Sequence, residues 1–258
     1  MEKDFFPQLK QSVLQYAIQG KLVTQNPNDE PTSKLLEQIH EEKMRLVKEK
    51  KIKLDKYESV IFKGTDNKYY EKIGDNDEVC IDDEIPFEIP NNWIWSRGSQ
   101  CFKPMESTKP EGKCFEYIDI DAVNSKLNTI EKTKLIETLK APSRASRKIC
   151  DGDTIFSMVR PYLKNIAYVT EQYEHCIAST GFFVFKPTKL FYPKFLYWLL
   201  LSPYVVDGLN QFMKGDNSPS INGENVIQFL YPIPPIEEQK RIIAALNNLV
   251  PQFDSLKK

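Results

Sequence analysis

No stretch restricts this chain more than its end, where Pro234 and Pro235 are followed by Glu237-Glu238-Gln239-Lys240-Arg241-Ile242-Ile243. Two prolines set an extended lead-in, and acidic residues in the next turn suit the positive end of a helix dipole. A helix over 236–258 is therefore predicted, with Lys257 and Lys258 at its basic end. Ile242, Leu246, Leu249, Phe253 and Leu256 recur at steps of four, three, four and three. That is the a/d seam of a coiled coil, and it asks for a partner helix; a terminal helix packed on its own domain is the other reading of the same spacing. Pro251 removes one backbone bond and predicts a kink or break near Leu249.

A second seam opens the chain. Phe6, Leu9, Val13 and Tyr16 follow heptad steps up to Gly20, a natural helix stop. A further helix is expected from about Lys34 to Tyr57, amphipathic at Leu35, Leu36, Ile39 and Leu46, then a solvated, lysine-rich face from Lys48 to Lys56. Residues 59–92, with three lysines against nine carboxylates, read as an irregular acidic connector. From Trp93 the pattern changes to short β-type runs at Phe115 to Ile120, Thr154 to Val159, Ile166 to Thr170 and Phe182 to Phe185. Tyr192 to Leu201 suits a buried helix. The expected fold is α+β: a helical segment over 1–58, the connector over 59–92, a mixed, β-rich domain over 93–235 and a coiled-coil helix over 236–258. Long coiled-coil-type helices would thus flank the β-rich domain at both ends of the chain.

With 258 residues, 41% of them apolar, the chain can bury a sizeable core without disulfides. No apolar run reaches the roughly 18 residues of a membrane span, and the first residues lack a signal-peptide pattern, so a cytoplasmic location is expected. Cys80, Cys101, Cys114, Cys150 and Cys176 contain no C-x-x-C pair and suit reduced thiols. With His40 and His175 the only histidines, neither a zinc site nor a histidine triad is expected. No phosphate-binding loop is present, and Asn26-Pro27-Asn28 lacks the second proline and the aromatic of an adenine methyltransferase loop. Glu111-Gly112-Lys113 with Asp83 could hold Mg²⁺ in a nuclease, but the same E-x-K spacing recurs at Glu41 and Glu49, which favours solvated charge. The chain therefore reads as non-enzymatic, with no metal and no cofactor of its own.

The informative block is 140–164, with six basic residues against two acidic ones. Arg144, Arg147, Arg160 and Lys164, joined by Lys214, can neutralise phosphates, and an arginine can also read guanine through two parallel donors. Ser157, Tyr162, Asn217 and Ser218 are placed to assist from adjacent loops. The alternative is that Arg144 and Arg160 are struts in internal salt bridges.

Several motifs carry a family resemblance. Tyr117-Ile118-Asp119-Ile120, Ala141-Pro142-Ser143-Arg144-Ala145, Gly152-Asp153, Ser157-Met158-Val159-Arg160-Pro161 and Ala178-Ser179-Thr180-Gly181-Phe182 together resemble the target-recognition domain of type I restriction-modification specificity subunits. The Glu-Glu-Gln-Lys-Arg-Ile-Ile junction resembles the segment that follows such a domain, and Leu9 to Val23 resembles the conserved helix of these subunits. The resemblance implies a subunit without an active site that binds double-stranded DNA and directs an S-adenosylmethionine-dependent DNA methyltransferase subunit, and in some assemblies an endonuclease subunit, to its target. Family members usually carry two recognition domains and this chain carries one. Either a half-size subunit self-associates through Leu9, Val13, Tyr16, Ile242, Leu246, Leu249 and Phe253, or the chain is a fragment of a longer one. A coiled-coil adaptor that binds protein rather than DNA is the competing class, and it leaves the basic block without a role. A recognition domain detached from a fused methyltransferase is a third.

Overall fold

The computed structural model describes residues 5–50, 58–74 and 76–255. The lysine-rich stretch from residue 51 and position Leu256 lie outside them, as do the side chains of Phe6 and Phe253. The chain forms two compact units: one from residues 1–101, 189–192 and 227–258, the other from 102–188 and 193–226. No helix among the described residues is long and apolar enough to cross a membrane.

In the first unit, the helix Phe5–Ile18 packs against the terminal helix Ile236–Ser255. Leu14, Ala17 and Ile18 form the buried face of one; Ile242, Ile243, Leu246 and Val250 form that of the other. The terminal seam thus finds its partner helix inside the same chain. Ile242 and Leu246, expected to face another copy, are 0% and 1% exposed. The first helix is rotated relative to the expected seam: Tyr16 points to solvent at 57% exposure, while Leu9 and Val13 are half-buried. No break occurs at Pro251, which lies inside the continuous helix. The first helix stops where expected. Gly20 takes φ +70°, and a Cβ there would meet Pro90 Cγ at 2.4 Å, so both conformation and space require glycine.

The Glu-Glu-Gln segment does more than match a dipole. Glu238 is fully buried and accepts hydrogen bonds from Trp93 Nε1 at 2.9 Å and Gln25 Nε2 at 2.6 Å. Burial pushes its carboxyl above the usual range, against the lowering effect of those donors. Gln239, also fully buried, donates to the carbonyls of Leu190 and Pro234 and accepts from the backbone N–H of Tyr192 at 2.7 Å. Arg241 pairs with the buried Asp29 through two nitrogens, and Thr32 donates to the Ile233 carbonyl at 3.0 Å. One turn of helix thus fastens four separate stretches of this unit.

The acidic stretch expected to be irregular is instead an antiparallel sheet of Ser59–Lys63, Tyr69–Ile73 and Val79–Cys80. Gly64 to Lys68 closes its first hairpin, with Asn67 at φ +63°. The inward positions include Ser59 and Glu71, so no apolar alternation marks these strands. Glu71 is instead satisfied by charge: Arg97, on the strand Ile94–Arg97, holds it through Nε at 3.1 Å and Nη2 at 2.7 Å, and Ser59 donates to it as well. Arg97 also reaches Glu84 at 2.8 Å and the Gln228 carbonyl at 3.0 Å. Its own strand pairs antiparallel with Leu230–Ile233, immediately before the terminal helix.

The second unit holds two four-stranded sheets. One runs in the order Ala145–Lys148, Ile177–Ser179, Cys114–Ile118, Lys134–Glu137, with the central pair parallel. The other runs Ile166–Tyr168, Thr154–Ser157, Phe182–Pro187, Phe102–Lys103, antiparallel throughout. Phe182 to Phe185 is buried at every position, which a strand achieves only with both faces covered. Phe182 and Val184 join the core with Ile118, Ile155 and Ala178, whereas Phe183 and Phe185 face the other way in an aromatic cluster with Phe156 and Phe102. The helix Pro193–Leu200 packs on Thr154–Ser157 and Ile166–Tyr168 and buries Phe195, Leu196, Leu199 and Leu200. The Gly152-Asp153 turn has a double purpose: Gly152 supplies φ +88°, and the buried Asp153 binds Lys186 Nζ at 2.8 Å and the Cys150 N–H at 2.9 Å.

Candidate nucleic-acid interface

The strand Thr154–Ser157 leaves its sheet into a turn that supplies Arg160 and Lys164, two of the five basic residues named above. Ser157, the last strand residue, is 1% exposed and donates its hydroxyl to the Val159 carbonyl at 2.8 Å. It braces the turn from inside and is not presented to a ligand. Arg160 and Lys164 both adopt the left-handed conformation, φ +48° and +56°, on either side of the short helical turn Pro161–Leu163. For residues with a Cβ this costs on the order of 1–3 kcal/mol each, and such strain collects where a loop has a job to do. The helix Pro203–Asn210 supports the turn from beneath, and Asn128 Nδ2 donates to the Lys164 carbonyl at 2.9 Å. At the tip, Tyr162 and Leu163 are 45% and 46% exposed.

Main-chain bonds tie this turn to the loop carrying Lys214. Arg160 N–H donates to the Pro219 carbonyl at 2.8 Å, and Ile221 N–H to the Met158 carbonyl at 2.9 Å. Lys214 and Ser220 exchange two backbone bonds of 3.0 Å. The Arg160 guanidinium closes the loop by donating to the Asn217 carbonyl at 2.7 Å. On the other side, Met158 N–H donates to the Gly181 carbonyl and Thr180 N–H to the Arg144 carbonyl. The Arg144 guanidinium lies so close over Gly181 that a Cβ there would stand 2.4 Å from Nη2. The structure thus brings Arg144, Arg160, Lys164, Lys214, Tyr162, Asn217 and Ser218 onto one set of interlocked loops.

Arg147 is placed differently. It lies on the strand Ala145–Lys148, beside Ser107 across an isolated bridge, with a buried Nε that has no hydrogen-bond partner. Within the basic block, Lys148 is neutralised by Glu106 at 3.0 Å and Lys140 by Glu137 at 2.9 Å. Arg144, Arg160, Lys164 and Lys214 form no ion pair among the described residues. Of the strut alternative, Arg160 keeps a part, since it braces Asn217 through one nitrogen while its charge stays uncompensated. Asn128 escaped the sequence reading, and Gly181 entered it only within the family-like motif, without a role. The Asn124 to Asn128 turn residues were its one available signal, because asparagine tolerates the left-handed φ +56° found at Asn128.

This arrangement offers four uncompensated cations, an exposed aromatic ring and polar loop groups on a rigid frame, with no nucleophile and base poised among them. It suits phosphate contact and base recognition rather than bond cleavage. Comparison with known proteins points the same way. Residues 99–258 match the model of the type I restriction modification DNA specificity domain. The type I restriction enzyme EcoAI specificity subunit of Escherichia coli is 26% identical over 96% of the chain and 40% of its own length. The EcoEI specificity subunit, also from Escherichia coli, is 32% identical over 59% of the chain and 24% of its own length. The chain therefore spans less than half of these curated relatives. Among solved structures, the HsdS subunit from Thermoanaerobacter tengcongensis aligns with a TM-score of 0.62 at 36% identity, over 67% of this chain and 45% of that one. A chain from a structure describing complex assembly and conformational transition of the type I R-M system gives the same values.

Proposed function

We propose, given that the chain belongs to the type I restriction modification DNA specificity family, that it recognises a double-stranded DNA target for a methyltransferase subunit and, in larger assemblies, for an endonuclease subunit, without performing a chemical step itself. The convergence of Arg144, Arg160, Lys164 and Lys214 on loops locked by main-chain bonds carries this reading. Lysines and one arginine hold phosphates and set the register, the other arginine reads a base edge, and Tyr162 with Leu163 reaches toward the groove between them. The four cations give a slope of about −4 in log K against log salt, so the isolated chain binds weakly at physiological salt and tightens when a methyltransferase subunit closes on the duplex.

A shift assay over a library of target duplexes, methylated and unmethylated, with and without the methyltransferase subunit, tests this. Arg160→Ala is expected to lose about 1–3 kcal/mol of discrimination at one base pair, whereas Lys164→Ala weakens all sequences alike and lowers the salt slope by about 1. Tight, salt-insensitive binding by the isolated chain, or a specificity profile untouched by every one of the four substitutions, would refute the assignment. The competing adaptor reading has no observation in its favour at these loops.

Self-association is proposed through the surface that the paired terminal helices leave open, where Tyr16 is exposed and Leu9, Val13 and Leu249 are half-buried. Ile242 and Leu246 support this surface from within rather than meeting a second copy. Sedimentation at micromolar concentration is expected to show a dimer that Tyr16→Glu dissociates. A monomer throughout would return these positions to a role on another subunit or to plain solvent exposure.

A further inference from the structure

A second group of side chains stands outside the basic loops. Glu116 lies on the strand Cys114–Ile118, and His175-Cys176 leads into the parallel neighbour Ile177–Ser179. The register pairs Ile177 with Tyr117, so the residues just before each, Cys176 and Glu116, come side by side. His175 Nε2 is 3.4 Å from Glu116 Oε1 and 3.7 Å from Cys176 Sγ, and that sulfur is 3.8 Å from Glu116 Oε2. The three ligand-type atoms lie within 4.8 Å of one another. Zinc bonded tetrahedrally at about 2.3 Å to sulfur and about 2.0–2.1 Å to nitrogen and oxygen would hold such atoms roughly 3.3–3.6 Å apart, so the triangle closes with a contraction of up to about 1 Å on its longest side, within reach of side-chain rotation at the exposed His175 and the half-buried Glu116.

We propose that Glu116, His175 and Cys176 form a binding site for a borderline-soft divalent cation, zinc by preference, with the fourth coordination position open to solvent. A thiolate, an imidazole and one carboxylate are the donor set for zinc and not for magnesium or calcium, which take oxygen. The supporting shell is already in place, because Thr133 donates to Glu116 Oε2 at 2.8 Å and fixes the carboxylate. The fourth position faces an open cleft of about 550 Å³ that Cys114, Glu111, Glu174 and Lys148 also line. Without a cation, the Cys176 thiol stays neutral and points its proton at Glu116 Oε2, while donors from Thr133 and His175 hold the Glu116 carboxyl below its usual range. Burial and the neighbouring Glu116 push the Cys176 thiol up to about 12, and a bound metal would reverse that balance and release the proton to solvent. Such a site would clamp the central parallel pair of its sheet. The strand from Ile177 continues into Thr180 and Gly181, on which Arg144 rests, so the clamp would also steady one edge of the DNA-facing loops.

The test uses the full chain with Cys80 and Cys114, the two exposed thiols, replaced by serine to remove adventitious ligands. Titration of the metal-free protein with Co²⁺ is expected to reach one equivalent, with tetrahedral ligand-field bands and a thiolate-to-cobalt charge-transfer band that Zn²⁺ displaces. Zn²⁺ should also raise the melting temperature. His175→Gln, at a position whose side chain is 58% exposed, should lower affinity by more than the roughly 10–100-fold that loss of a supporting group costs, and Cys176→Ser should abolish the charge-transfer band. An octahedral cobalt spectrum without charge transfer, or stoichiometric binding undiminished in His175→Gln, would overturn the proposal. The readout is independent of DNA, so failure here leaves the recognition function untouched.

Discussion

Arg97→Ala is expected to lower the unfolding free energy by about 3–5 kcal/mol, the cost of breaking a buried ion pair from one side. Glu71 keeps the hydroxyl of Ser59 as a donor but loses the guanidinium, the Gln228 carbonyl loses a partner, and the three-stranded sheet loses its charged tie to the strand that carries Arg97. The two side chains are only 13% and 8% exposed, so water cannot replace the lost charge. The effect is pH-dependent. Burial opposes ionisation of Glu71, but hydrogen bonds from Arg97 and Ser59 prevail and hold its carboxyl below the ordinary value of 4.5. A lowered folded-state value means stability that is fully present above about pH 4.5 and lost as pH falls through that lower value. In Arg97→Ala burial acts unopposed by the guanidinium, so the deficit against the parent is largest at neutral pH and shrinks in acid. Urea unfolding at pH 7 and near pH 4 measures both; a deficit below about 1 kcal/mol, or one that grows in acid, contradicts the account.

Lys186→Met is expected to cost a similar 3–5 kcal/mol in the second unit. The Lys186 and Asp153 side chains are 5% and 6% exposed and 2.8 Å apart, beneath the Gly152-Asp153 turn that begins the central strand Thr154–Ser157. Burial already raises the Asp153 carboxyl above its usual range despite the lysine, and without the lysine that carboxylate is stranded or must take up a proton. Adding Asp153→Asn should recover part of the loss, because an amide carbonyl still accepts the Cys150 N–H. Chemical unfolding of the single and double variants shows it. Additive losses, with no recovery in the pair, would mean that the two groups act separately.

These ion pairs show where a linear reading of the residues stops. Phe182 to Phe185 could be assigned from the sequence because both of its faces are apolar, and the prolines at 234 and 235 announced the last helix. Residues 59–73 could not, since Ser59 and Glu71 share the inward positions with Ile61 and Tyr69 while Val60 and Phe62 face outward, and the partner of Glu71 lies 26 residues further along the chain. Glu238 reads as suited to a helix dipole and Gln239 only as part of the junction that follows the prolines, and their burial involves Trp93, Gln25 and Leu190, which no local pattern connects to them. At the proposed interface, composition marked a basic block without showing which of its side chains stand on the interlocked loops. Ser157 turns inward and Arg147 belongs to a strand, while Lys148 and Lys140 are neutralised by carboxylates from other positions.

The two loops that present the cations owe their shape largely to backbone atoms: Met158 to Gly181, Arg160 to Pro219, Lys214 to Ser220. A frame of that kind is indifferent to much of what hangs from it. Tyr162, Leu163, Asn217 and Ser218 can be exchanged without unmaking a single one of those bonds, so under the proposed function the letters to be read are kept apart from the page on which they are set. The proposed interface therefore predicts that substitutions at these tips change target choice without the folding penalty that a rebuilt core would exact.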